Sequence, residues 1–253
     1  MEYKIIAIIF ILFIYSCNEG ADINIANEMN VQQSQSEYSI LIFSKTAGFR
    51  HDSIETGREV LTARAIENGY IVTATENSKY FTYENIKNYD VIIFLNTTQT
   101  VLEEEQKTAF KSYIRNGGGF VGIHSATDTE YEWSWYNKLV GAYFESHPRV
   151  QPATVIITNS NHPSTIGLDR EIERTDEWYN FKSLNEDVIV LLELDPDSFD
   201  GSNHPDSHPI AWYHEFDGGR VFYTGGGHTI DSYYEDFFMD HLWGGINYAM
   251  GLD

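Results

Sequence analysis

Gly117-Gly118-Gly119-Phe120-Val121-Gly122-Ile123-His124-Ser125-Ala126 is the stretch on which the reading of this chain turns. Three glycines deliver the backbone into a short apolar strand, and the strand ends at a histidine followed by small residues. In an open α/β sheet, ligands bind at the carboxyl ends of the strands, where a tight turn can push one side chain into a crevice. Hydrolases with a nucleophile elbow place a serine at such a turn. An imidazole at position 124 points to proton transfer or metal ligation rather than acyl-enzyme chemistry. The plainer alternative is a histidine that only caps the following turn.

The flanking sequence repeats the same grammar. Ser39–Phe43 and Tyr89–Leu95 are short, continuous apolar runs, as expected of strands buried on both faces, and Tyr70–Ala74 reads as the strand between them. A helix is expected from Ile54, with Val60, Leu61, Ala65 and Ile66 on its apolar stripe and Asn68-Gly69 as its stop. A second is expected over Glu103–Arg115, acidic at its start and basic near its end as the helix dipole favours. Strand and helix in this alternation mean right-handed crossovers and a mostly parallel sheet. Thr154–Ile157, Asp187–Leu192, Pro209–Tyr213 and Arg220–Tyr223 also read as strands, the last two joined by a hairpin turn, and Tyr234–Met250 as a closing helix. The fold class is therefore α/β, a three-layer sandwich, with no internal repeat.

Several histidines stand beside turn signals rather than inside apolar stripes. His51 follows the first strand, His124 ends the fourth, His147 lies in Ser146-His147-Pro148, and His228 follows Gly225-Gly226-Gly227 directly after a late strand. Strand ends of a doubly wound sheet converge on one crevice, so together these four are candidates where each alone would be a cap. Asp176-Glu177-Trp178-Tyr179 sets two acids beside two aromatics, and a carboxylate against aromatic surface can serve as an acid or base. The competing reading of that segment is a solvated loop or helix start. Asp52 and Asp128 are weaker candidates for orienting an imidazole. Histidine plus carboxylate is compatible with a divalent metal, but no HExxH or other tight spacing demands one, and no cofactor is certain. The polar segment Pro196–Pro209 lacks EF-hand spacing and reads as a substrate-facing loop or surface insertion. No glycine-rich stretch matches a nucleotide-binding fingerprint.

Composition narrows the partners. The first sixteen residues carry Lys4 and an apolar run, Ile5–Tyr15, of the length of a signal h-region and too short to span a membrane. Phe13-Ile14-Tyr15-Ser16-Cys17 resembles a bacterial lipobox, so residues 1–16 read as a lipoprotein signal peptide and Cys17, the chain's single cysteine, as the lipidated residue. Residues 17–37 read as a flexible tether and 38–253 as one domain, lipid-anchored in the bacterial cell envelope with no other membrane contact expected. Losing Glu2 and Lys4 with the leader cancels, so the net charge stays at −22, which discounts nucleic acid as a partner.

With these pieces assembled, the chain resembles the ThuA-like (trehalose utilisation) family over about Ser39–Gly251. The resemblance rests on Gly48-Phe49-Arg50-His51, the Gly117–Ala126 stretch, Asp176-Glu177-Trp178-Tyr179, and Gly219–Tyr223 with Gly227-His228-Thr229. It implies a flavodoxin-like fold akin to that of class I glutamine amidotransferases. Those enzymes carry a cysteine at the elbow; here the matching residue is His124, so glutamine hydrolysis through a thioester is excluded.

The resemblance further implies carbohydrate catabolism, of glycosides bearing a 3-keto group made by a partner sugar oxidoreductase. His124, Glu177 and His228 would then be catalytic, with Arg50, His51, His147, Asp176, Trp178 and Tyr179 binding a small carbohydrate. The reaction would be acid–base cleavage (lyase or hydrolase) or isomerisation. Two alternatives stand beside it: a non-catalytic sugar-binding lipoprotein using aromatics near Trp133, Trp135 and Trp178, and a metal-dependent hydrolase of another small substrate.

Overall fold

A computed structural model describes residues 38–252. The leader, Cys17 and the tether read from the sequence lie outside the described residues. Within them, eleven strands and five α-helices follow in the order β1 (Ser39–Phe43), α1 (Ile54–Glu67), β2 (Ile71–Thr75), α2 (Tyr83–Ile86), β3 (Val91–Leu95), α3 (Glu104–Arg115), β4 (Gly119–Ile123), α4 (Ser134–Val140), β5 (Tyr143–Ser146), β6 (Gln151–Ile157), β7 (Glu171–Asp176), β8 (Asn180–Lys182), β9 (Ile189–Leu194), β10 (His208–Phe216), β11 (Gly219–Thr224) and α5 (Asp236–Met250). Nine strands form one sheet in the order β2-β1-β3-β4-β11-β10-β9-β6-β7, and β5 pairs with β8 apart from it.

The first five strands of that order pair in parallel. From β11 outward each pairing is antiparallel, so β10 and β6 alone run against the rest. The parallel half is where the expected βαβ rhythm holds. Its strands β3 and β4 are buried at every position, which is why they read as unbroken apolar runs.

Side-chain alternation along β4 shows the layering. A Cβ on Gly119 would meet the Ala249 carbonyl of α5 at 2.2 Å, while one on Gly122 would approach Val140 of α4 at 3.4 Å. These positions have opposite parity, so α5 and α4 cover opposite faces. Phe110 of α3 packs against Phe120, on the α4 face, at 5.9 Å between ring centroids. Arg64 of α1 bonds Asp240 of α5 at 2.8 Å, placing α1 beside α5. The result is the three-layer, flavodoxin-like sandwich expected from the sequence.

Two local expectations differ. Ile66 was expected on the buried stripe of α1 but is 61% exposed; Ile54, Gly57, Leu61 and Ala65 form that face instead. Asp176 is no solvated loop residue: it closes β7 and is fully buried. Among the described residues no helix is long and apolar enough to cross a membrane.

Candidate active site

β4 ends as the sequence suggested. His124 has φ +48°, in the left-handed region that costs a non-glycine residue energy, and opens a 3-10 turn over His124–Asp128. Its Nδ1 lies 2.9 Å from the Gly225 carbonyl oxygen. A carbonyl only accepts, so Nδ1 holds a proton, and Nε2 is the ring nitrogen turned toward Glu177.

The neighbouring strand β11 supplies the next group. Gly227, at φ +102°, turns the chain sharply after β11 and presents His228. The loop after β1 brings in His51, whose ring sits edge-on to His124 and His228 at centroid distances of 4.8 and 5.1 Å. Its Nδ1 contacts Ser125 Oγ at 3.4 Å.

Glu177 arrives from the far side of the sheet. The residues after β7 run back so that the Tyr179 ring lies 4.1 Å from that of His124. Glu177 Oε2 is 3.5 Å from His124 Nε2 and 3.2 Å from His228 Nδ1, while Oε1 is 2.9 Å from His147 Nδ1. The two nitrogens facing Oε2 are themselves 3.3 Å apart. One donor atom from each of His51, His124, Glu177 and His228 falls within 4.8 Å of the others, which makes them, among the described residues, a group able to hold a metal.

Electrostatics separate the groups. Burial works against a charge on Glu177, yet hydrogen bonds from His124 and His228 and their charges hold its carboxyl well below the usual range. Burial pushes His51 down to about 2, helped by the neighbouring imidazoles. For His228 burial also disfavours the cation, but the Glu177 hydrogen bond and charge outweigh it and raise the value. The site therefore sets a carboxylate held low beside one imidazole pushed down and another pushed up, the separation of roles that acid–base chemistry needs.

Asp176 builds the site rather than facing it. Its oxygens accept from the backbone N–H groups of Gly227 (2.8 Å), His228 (3.1 Å), Thr229 (3.3 Å) and Glu177 (3.0 Å), and from Ser232 Oγ (3.0 Å). Arg174 Nη1 adds an ion pair at 3.0 Å. Burial alone would raise its pKa; Arg174 and these donors lower it. With its acceptor capacity filled, Asp176 fixes the loop carrying His228 and the backbone of Glu177.

The remaining sequence candidates divide. His147 and Tyr179 join the cluster. Trp178 is buried, donates its indole N–H to the Gln151 carbonyl at 2.9 Å and lies under Arg174, so it supports the wall. The Arg50 guanidinium bonds Glu55 at 2.6 Å and Glu76 at 2.8 Å, and its charge is spent there. Trp133 and Trp135 stack on each other, and Trp135 donates to Asp217 of the β10–β11 turn, at the opposite end of β11 from His228. Asp128 bonds Tyr131 and Gln99 rather than an imidazole. In the polar segment before β10, Asn203 N and the Gly201 carbonyl bond the side chain of Asn180, the residue after Tyr179, so the segment buttresses the wall.

Two residues were not singled out in sequence. Ser125 contacts His51, and Phe49 is 67% exposed with its ring edge-on to His51 at 4.9 Å. Phe49 had a signal, an aromatic residue in a turn where burial could not be its purpose.

An open α/β sheet with a histidine–carboxylate cluster at its strand ends defines the class of protein. The family model for ThuA, trehalose utilisation, matches residues 39–249, and the chain belongs to that family, which places it in carbohydrate metabolism. Solved structures agree on the fold. A ThuA-like protein of Bacteroides uniformis is 24% identical with a TM-score of 0.73, covering 85% of this chain and 92% of that one. One from Parabacteroides merdae is 17% identical at 0.68, covering 84% and 90%. A cytoplasmic protein of Salmonella typhimurium LT2 is 11% identical at 0.60, covering 84% and 99%. No curated protein matches the chain by sequence.

Proposed function

We propose that this protein is an enzyme of sugar catabolism that cleaves a 3-keto-glycoside by proton transfer at the Glu177–histidine cluster. The observation that carries this reading is the position of one ionised carboxylate, within 3.5 Å of ring nitrogens of His124, His228 and His147, at the carboxyl ends of the strands.

The chemistry follows from the substrate class. A ketone at C3 acidifies the C2–H bond. A base removes that proton, an enolate forms, and the C1–O bond breaks as a C1=C2 double bond forms. The departing oxygen takes up a proton, so the products are an unsaturated keto-sugar and an alcohol. This sequence needs a base, an acid and an electrophile for the enolate oxygen. Glu177, held ionised, is not the acid; it anchors the imidazoles and balances their charge. The imidazoles around it carry the proton transfers. Phe49, exposed beside His51, offers a flat apolar face of the kind that sugar rings stack on. A sugar oxidoreductase supplying the ketone and a lipid anchor at Cys17 belong to the same reading.

The test is turnover of a panel of 3-keto-glycosides, with the unoxidised glycosides as controls, by the wild type and His124→Ala. The reading expects alcohol release from keto substrates only, lost in the variant. Undiminished turnover by the variant would place the reacting centre elsewhere.

A further inference from the structure

The spacing inside the cluster carries a conclusion that holds whatever the substrate is. His124 Nε2, His228 Nδ1 and Glu177 Oε2 form a near-equilateral triangle with sides of 3.3, 3.2 and 3.5 Å. Charge-assisted hydrogen bonds to a carboxylate are shorter, about 2.7–2.9 Å. The other oxygen of the same carboxylate lies 2.9 Å from His147 Nδ1, whose hydrogen bond goes to the Pro148 carbonyl at 2.8 Å. Donor atoms bound tetrahedrally to zinc at about 2.0–2.1 Å lie about 3.3–3.4 Å from one another. The triangle has the dimensions of a coordination face.

We propose that His124, His228 and Glu177 bind one divalent ion of the zinc class, leaving a fourth position beside His51. Each donor is oriented from behind. The Gly225 carbonyl accepts the Nδ1 proton of His124 and so turns Nε2 toward the triangle. His147 lies against the second oxygen of Glu177, and Asp176 fixes the backbone of both Glu177 and His228. Metal sites depend on such outer partners for ligand orientation and basicity. Two imidazoles and one carboxylate suit zinc, cobalt or nickel better than magnesium or calcium, which take oxygen donors. Three protein ligands with one position free is the pattern of catalytic rather than structural zinc. An ion there would supply the electrophile that the proposed reaction needs.

The experiment is a titration with Co²⁺ alone of the full chain, purified without a histidine tag and stripped with chelator. Absorbance and bound metal are measured for the wild type, Glu177→Gln, His228→Ala and His147→Ala, with circular dichroism to confirm folding. The expected result is one equivalent bound to the wild type, with the visible absorption of low-coordinate cobalt. Both ligand variants lose that absorption, and His147→Ala binds about 10–100-fold more weakly. No saturable uptake by the wild type overturns the proposal, as does equal uptake by folded Glu177→Gln. Should the ligand variants not fold, X-ray absorption of the wild-type complex decides by the presence or absence of two imidazoles on cobalt. No readout involves sugar turnover, so the site can stand or fall apart from the proposed reaction.

Discussion

Replacing Asp176 by Asn isolates the group that organises the site without touching the reacting cluster. The carboxylate is fully buried, ion-paired with Arg174 and bonded to four backbone N–H groups and one hydroxyl. Asn keeps the shape but removes the charge and turns a donor NH₂ toward groups that are themselves donors. Breaking a buried pair from one side costs about 3–5 kcal/mol. For a domain of this size each kcal/mol lowers Tm by about 2–4 °C, so a fall of about 6–20 °C is expected. The pH dependence gives a second check. The native carboxyl titrates below its ordinary value, so its contribution is present above pH ~3.9 and lost as pH falls through the native pKa. The gap between wild type and variant should be constant from pH 7 to 5 and close in stronger acid. Turnover should fall as well, since His228 and Glu177 lose their backbone anchor. A Tm within 2 °C of wild type, with unchanged turnover, would refute the argument that Asp176 holds the loop.

Two further outcomes follow from single groups. Burial lowers His208 to about 4 and His241 to about 3, so the native protein keeps both neutral while an unfolded chain protonates them from pH ~6.5 downward. Stability should therefore decline below pH 6.5, each group adding about 1.4 kcal/mol per pH unit until its native value is reached; urea midpoints that stay level from pH 7 to 5 would contradict this. Phe49→Ala, at a residue 67% exposed, should leave Tm within 2 °C and raise KM on the order of fivefold with kcat little changed, for a stacking contact of about 1 kcal/mol. An unchanged KM would remove Phe49 from the substrate surface.

Strands β1, β3 and β4 were legible because a strand buried on both faces is a nearly unbroken apolar run. Ile40–Phe43 and Val91–Leu95 carry that mark in their own composition. β7 was missed for the opposite reason. Glu171-Ile-Glu-Arg-Thr-Asp176 is an edge strand with three exposed polar residues, and its register comes from pairing with β6 rather than from an apolar pattern. The same gap hid the role of Asp176, whose partners in Gly227–Thr229 are some fifty residues away.

The elbow histidine could be read locally, since glycine, strand and histidine are contiguous. Grouping the histidines was an inference from topology: strand ends share one side of a sheet. Sequence could not separate Glu177, which enters the cluster, from Asp176, which lies behind it. Nor could it show that Arg50 spends its charge on Glu55 and Glu76, because side-chain direction at a turn depends on contacts made across the fold.

The central claim is that Glu177 and its histidines break the C2–H bond of a keto-glycoside. The most direct measurement follows a 3-keto-glycoside deuterated at C2 as the wild type and Glu177→Gln consume it. The account expects deuterium to pass from the sugar into water in step with alcohol release, and neither process in the variant. Release of the alcohol with deuterium retained at C2 would mean that the bond breaks by direct displacement at C1, and would contradict the mechanism.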